Sequence, residues 1–276
     1  MTSEPTCVWD VKAKLGEGPL WSHADQALWF VDIKQDRIHR YDPKTGDRRS
    51  HDAPDEPGFI VPGEKGGFIV GARGALYRFE PKTGGFSLLC DVEKDKPGNR
   101  INDGALDPSG RLWFGTMDNA ERDPTGSLYR FDAKGLTVID SGYVVTNGPC
   151  FSPDGRTMYH TDTLAGVICA FDVDAGGHAS NKREFATVEP GAGYPDGPVC
   201  DAAGNVWTGL YRGWAVRKYS AEGKLLATVR FPVSNITKMA FAADGYAYAT
   251  TAWKGLSDEE RRAEPLAGGL FRFKAA

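Results

Sequence analysis

No apolar run in this chain approaches the length that crosses a bilayer, so no transmembrane helix is expected. Met1 to Lys12 lacks a basic segment followed by an apolar one, so no secretory signal is expected there. Basic residues are not in excess: 33 Lys and Arg face 37 Asp and Glu, a formal net charge of -4. Binding to a phosphate backbone needs a basic face, so nucleic acid is not an expected partner. Cysteine is scarce, at five, and no CxxC pair occurs. An odd number of unpaired thiols and no signal point to free cysteines in a reducing cytoplasm. Cys90, Cys150, Cys169 and Cys200 lie in apolar, strand-like text and are expected to be buried small hydrophobes. There is no GxSxG, no P-loop and no GxGxxG opening a helix, which removes the usual footholds of serine hydrolases, nucleotide hydrolases and dinucleotide enzymes. No Cys/His set has the spacing of a structural zinc site. Helical text is nearly absent. The one good stretch is Ser257 to Glu264, with a serine cap and an acidic first turn, read as a solvated insertion.

What the chain has is punctuation. Its 34 glycines and 17 prolines are spread along the whole length, separating short apolar runs. That is the text of many short strands joined by turns. The turns recur at equivalent places: Ser22–Asp25, Asp107–Gly110, Ser152–Gly155, Asp201–Gly204 and Ala242–Gly245, with Gly63–Gly66 a weaker sixth. A strand follows each turn. A third strand then follows, seen in Arg37–Asp42, Ala75–Glu80, Ser127–Asp132, Gly166–Asp172, Ala215–Ser220 and Gly269–Lys274. With a more variable fourth strand the period falls at roughly 40–45 residues, that of a propeller blade. Six units fit. The last ends after its third strand, while Cys7–Val11 is strand-like and precedes the first unit. The expectation is an all-β, six-bladed β-propeller of four-stranded antiparallel blades, residues 1–276 forming one domain. Its last blade is closed by the N-terminal strand, which leaves fewer sheet edges exposed.

Glu17-Gly18-Pro19 is echoed by Asn147-Gly148-Pro149 and Asp196-Gly197-Pro198. Counting back five residues from each turn gives Glu17, Gly58, Asn102, Asn147, Asp196 and Thr237. In a propeller these positions begin the innermost strands and meet at one mouth of the central channel. Any one of them alone reads as a turn or cap residue, since Asn and Asp before Gly are common in turns. Four carboxylates or carboxamides at one register read as a binding site, and a bound cation would compensate their burial. Glu17, Asn147 and Asp196 offer oxygens only, which suits calcium, magnesium, manganese or iron(II). Arg100, two residues before Asn102, can offer a donor fork to a polar substrate. Asp103 should point away from Asn102 by strand alternation and play a supporting role. His160 reads as a hydrogen-bonded inner histidine, and His23, His39, His51 and His178 as solvated.

These motifs, with Arg100-Ile101-Asn102-Asp103-Gly104 and Gly115-Thr116-Met117, resemble the senescence marker protein/gluconolactonase/luciferin-regenerating family along essentially the whole chain. Within it they look most like the bacterial sugar lactonases, including gluconolactonase and xylonolactonase. The resemblance implies one divalent cation on Glu17, Asn147 and Asp196, with calcium, zinc, manganese, magnesium and iron(II) all open. It implies that Arg100 and Asn102 contact substrate hydroxyls and that Asp196 doubles as the catalytic base. Some members place a sugar-contacting glutamate after Gly115-Thr116-Met117; here the counted position is Ala120, and Asn119 or Glu121 could substitute. The expected activity is metal-dependent hydrolysis of a sugar lactone by a cytoplasmic monomer. The rival readings are a phosphotriesterase or arylesterase on a similar propeller, and a protein-binding propeller without catalysis.

Overall fold

A computed structural model describes residues 4–63 and 66–275. The chain begins with β1 (Thr6–Trp9) and then lays down blades in order. Blade 1 is β2 (Gly16–Ser22), β3 (Ala27–Asp32), β4 (Arg37–Tyr41) and β5 (Arg48–Asp52). Blade 2 is β6 (Pro57–Pro62), β7 (Phe68–Ala72), β8 (Ala75–Glu80) and β9 (Gly85–Asp91). Blade 3 is β10 (Asn99–Leu106), β11 (Leu112–Asp118), β12 (Gly126–Asp132) and β13 (Gly135–Tyr143). Blade 4 is β14 (Thr146–Phe151), β15 (Thr157–Asp162), β16 (Val167–Val173) and β17 (Ala179–Thr187). Blade 5 is β18 (Tyr194–Cys200), β19 (Val206–Tyr211), β20 (Ala215–Tyr219) and β21 (Leu225–Arg230). Blade 6 is β22 (Ile236–Phe241), β23 (Ala247–Thr251) and β24 (Leu270–Phe273), completed by β1. The result is a ring of six four-stranded antiparallel sheets, a six-bladed β-propeller closed by its N-terminal strand.

The repeated turns are held by a repeated device. Trp29, Trp113 and Trp207, each on the second strand of its blade, donate their indole N–H to Asp25, Asp107 and Asp201 of the preceding turn at 3.0–3.1 Å. Asp107 and Asp201 also stabilise their turns by accepting backbone N–H groups, from Ser109 and Arg111 and from Ala203 and Asn205. In blade 6 Tyr248 takes the tryptophan's place and donates to Asp244 at 2.6 Å. The weaker turn at 63–66 includes Glu64 and Lys65, outside the described residues.

Apolar residues from neighbouring blades fill the gaps between sheets. Trp29, Val31 and Ile38 of blade 1 pack with Ile60, Val70 and Phe79 of blade 2, for example. The helix expected after Ser257 is α1 (Asp258–Ala263), capped by a reciprocal Ser257–Glu260 capping box and carrying no buried residue. Among the described residues no helix is long and apolar enough to cross a membrane.

Three local expectations are corrected. His39 is buried, because Trp9 from β1 packs against it and against Phe30. His160 is buried as expected, yet neither ring nitrogen has a hydrogen-bond partner; it sits edge-on to Tyr143. Of the four cysteines expected inside, Cys150 and Cys169 are buried and Cys90 and Cys200 only half-buried.

Candidate active site

The register counted from the turns falls on the innermost strands. Glu17, Gly58, Asn102, Asn147, Asp196 and Thr237 lie on β2, β6, β10, β14, β18 and β22, and successive inner strands pack against one another around the axis. At this register every one of the six departs from regular pairing with its second strand. The breaks run Glu17/Leu20, Pro57/Phe59, Ile101/Asp103, Asn147/Cys150, Pro195/Pro198 and Ile236/Met239. A bulge breaks the two-residue alternation and re-aims side chains. Asp103, next to Asn102, does not line the cavity above this register; it accepts from the Gly148 N–H at 2.7 Å, beside Asn147, and so plays a supporting role. Asp103 is fully buried and close enough to Glu17 and Asp196 to raise both of their pKa values.

Glu17 and Asp196 are 4% and 6% exposed, and their carboxyl groups lie within reach of a shared proton. Burial, with Asp103 nearby, pushes Glu17 up to about 8. Burial and the Glu17 charge hold Asp196 well above the usual carboxylate range. One Glu17 oxygen accepts from the Gly18 N–H at 2.9 Å, whereas Asp196 Oδ1 is buried with no partner. Two facing carboxyls with an orphaned oxygen leave an uncompensated negative site, the kind a cation would neutralise. The neutral neighbour is Asn147, whose Nδ2 donates to Thr163 Oγ1 at 2.8 Å and whose Oδ1 accepts from Asn102 Nδ2 at 3.1 Å. Among the described residues no three His, Cys, Asp or Glu side chains form a metal cluster. The Glu17–Asn147–Asp196 set has two carboxylates and takes its third oxygen from a carboxamide. This donor chemistry fits a hard or borderline divalent ion.

Arg100 is 2% exposed. Its Nη1 donates to Asn102 Oδ1 at 2.6 Å and to the Ile101 carbonyl at 3.2 Å, and its Nε to Asn119 Oδ1 at 3.1 Å. Asn119 in turn is gripped by Lys34 at 2.8 Å and donates to Glu56 at 3.0 Å. So Arg100, Asn102 and Asn147 form one hydrogen-bonded chain, backed by Asn119.

A cavity of about 330 Å³ opens over this floor, lined by Glu17, Arg100, Asn102, Asn147 and Asp196. Leu15, Met117, Val145 and Tyr211 add apolar wall, and Glu121, Arg212 and Lys254 stand with them. Of the two substitutes expected near Ala120, Glu121 reaches the cavity, where it pairs with Lys254. Asn119 does not line the cavity; its side chain is spent on Arg100, Lys34 and Glu56. A larger hollow of about 550 Å³ lies on blade 2 against Phe68, Phe79 and Phe86, with no such convergence of donors.

The 15–274 segment matches the model of the SMP-30/gluconolactonase/LRE-like region. The chain belongs to this family. It is 34% identical to a 6-deoxy-6-sulfogluconolactonase of Pseudomonas putida, over 96% of this chain and 92% of that one. It is 33% identical to a pentonolactonase of Haloferax volcanii, over 98% and 94%. Among solved structures it superposes on a calcium-binding protein, regucalcin, from Agrobacterium tumefaciens with a TM-score of 0.93. Identity there is 29%, over 96% of this chain and 92% of that one. The family resemblance read from the motifs thus holds across the chain.

Sequence reading missed several site residues. Lys238, one position past Thr237, donates to both Asp103 oxygens at 2.6 and 2.7 Å, and both residues are buried. Thr163, Lys34, Glu56, Tyr211, Arg212 and Lys254 come from other strands or loops. Only Lys238 carried a local signal: it is a lysine beside the shared register.

Proposed function

We propose that the chain hydrolyses a sugar lactone, the cyclic ester of a five- or six-carbon aldonic acid, to the open acid. The observation that carries this reading is the buried floor of Glu17, Asn147 and Asp196 beneath a cavity walled by hydrogen-bond donors. The lactonases named among the relatives support it. Glu17, Asn147 and Asp196 would hold one divalent cation, whose chemistry when bound is Lewis-acid polarisation of the ester carbonyl. A calcium-binding relative supports a divalent ion; manganese, magnesium, zinc and iron(II) are the other candidates.

The chain's own residues do the rest. Arg100 presents its guanidinium to the sugar oxygens, held in place by Asn102 and Asn119. Asn102 fixes the Asn147 carboxamide through its Nδ2. Asp196 Oδ1, which no protein donor occupies, takes the proton of the attacking water. Leu15, Met117, Val145 and Tyr211 exclude bulk water, which strengthens each polar contact beneath them. Glu121 offers a further acceptor to the sugar, while Asn119 positions Arg100. All five cysteines are free thiols, which supports a reducing, cytoplasmic setting, and the proposed working unit is the monomer.

The test is metal analysis of the purified protein, followed by a proton-release assay over a panel of aldonolactones. Chelation should abolish turnover and added cation should restore it. Full lactonase activity in the metal-stripped protein, or no turnover of any lactone in the metal-loaded protein, would sink the reading.

A further inference from the structure

We propose that Cys150 and Cys200 are an oxidisable dithiol that a hydroperoxide converts to a reversible disulfide between blades 4 and 5. The two sulfurs face each other at 3.4 Å across the blade interface. The contact is in register with a second one. A Cβ on Gly148 would lie 2.9 Å from Pro198 Cγ, so residues 148 and 150 of β14 meet residues 198 and 200 of β18 at the same offset. The two inner strands therefore run side by side in fixed alignment, and the thiols are held together by backbone packing. Around them lie Tyr159, Ile168, Ala170, Val206 and Phe185, an apolar pocket between the sheets. An S–S bond of about 2.05 Å asks for an approach of little more than 1 Å. Cys169 packs in a separate apolar cluster, and neither Cys150 nor Cys200 takes part in the proposed lactone chemistry.

The two thiols are not equivalent. Cys200 is half-buried and open to a small oxidant, whereas Cys150 is buried. Burial and the Cys200 sulfur push the Cys150 thiol well above its ordinary value, so it is the poorer first nucleophile. The Cys200 thiolate attacks one peroxide oxygen, the O–O bond breaks, and water or an alcohol leaves. Cys200 is then a sulfenic acid. The Cys150 sulfur attacks the Cys200 sulfur, the S–OH bond breaks, and water leaves with the Cys150 proton. Two thiols are oxidised and one peroxide is reduced. The bond would cross-link the strands that carry Asn147 and Asp196, three and four residues upstream.

The test treats the whole protein with hydrogen peroxide, alkylates the remaining thiols, and maps the peptides without reduction. The expected result is a loss of two hydrogen masses, a Cys150–Cys200 linked peptide, and full reversal by dithiothreitol. The loop closed spans 50 residues, so oxidation should also raise Tm by roughly 5 °C. In Cys150→Ser, Cys200 should stop at a sulfenic acid that dimedone traps; in Cys200→Ser, Cys150 should stay reduced at the same dose. The proposal is overturned if both cysteines remain alkylatable in oxidised wild type, if Cys200 proceeds to sulfinic acid without a link, or if the link joins other cysteines. Because the linked peptide is read in wild type, a variant that fails to fold does not spoil the test.

Discussion

Glu17 and Asp196 sit where neither would choose to be ionised. In the metal-free protein Glu17 is raised from 4.5 to about 8, mainly by burial and then by Asp103. The folded state therefore keeps a proton that the unfolded chain releases above about pH 4.5. Glu17's contribution to stability is present below that value and is lost as pH rises through about 8. Glu17→Gln has no such proton to lose. With cation removed, its Tm relative to wild type should climb between about pH 5 and 8, measured by thermal melts at matched ionic strength; parallel curves would contradict this. The same substitution should weaken cation binding while keeping the fold, read by calorimetry. Asp196→Asn should lower kcat by about a thousandfold, in the range of a lost general base, and near-wild-type turnover would remove Asp196 from the mechanism. Asn119→Ala should cost about tenfold in kcat/KM without changing bound metal, because it releases Arg100 and leaves the metal oxygens alone.

At the scale of the element, the inner strand is the informative unit. Its place was legible, because five of the six inner strands run into an Asp, Ser or Ala turn, and in blades 1, 3 and 5 a tryptophan follows the turn aspartate by four or six residues. That spacing exists for a physical reason: the turn aspartate accepts the tryptophan N–H. The bulges were not legible, since no residue type marks them across all six blades. Lys238 was missed for a different cause, its partner lying 135 residues away. His39 is buried by Trp9, which arrives from the other end of the ring's closure. Gly58 shows what the element demands of sequence. A Cβ there would stand 2.6 Å from the Asn102 carbonyl oxygen and 2.7 Å from that of Ile101. Gly58→Ala should therefore destabilise by about 1–3 kcal/mol. It should also lower lactonase activity by shifting Asn102, with denaturant melts and kinetics as the two readouts. Unchanged stability would mean that β10 yields freely.

At the scale of the molecule, closure by β1 was readable because the last repeat lacked a strand and the first had one to spare. β1 pairs with β24, while Trp9 at its end also packs on Phe30 and His39 of blade 1. It thus fastens blade 6 both to itself and to its neighbour. Removing residues up to Trp9 exposes the β24 edge and uncovers His39. The expected outcome is a Tm lower by roughly 10 °C or more and a tendency to associate, seen by melting and light scattering. A truncated chain as stable as the whole would show that the other three strands suffice.

The six bulges have a consequence for how such a ring can change over generations. The backbone breaks register at the same position in every blade, whether the residue there carries an oxygen ligand, as Glu17 does, or no side chain at all, as at Gly58. Presentation and chemistry are therefore separable, and the ring can try new donor sets one residue at a time. The choice is uneven. Thr237 is buried and already spends its hydroxyl on the Gly16 carbonyl and on Thr250. Gly58 faces backbone oxygens that must move before any side chain fits. Blade 2 is therefore closed to a new ligand unless β10 moves aside.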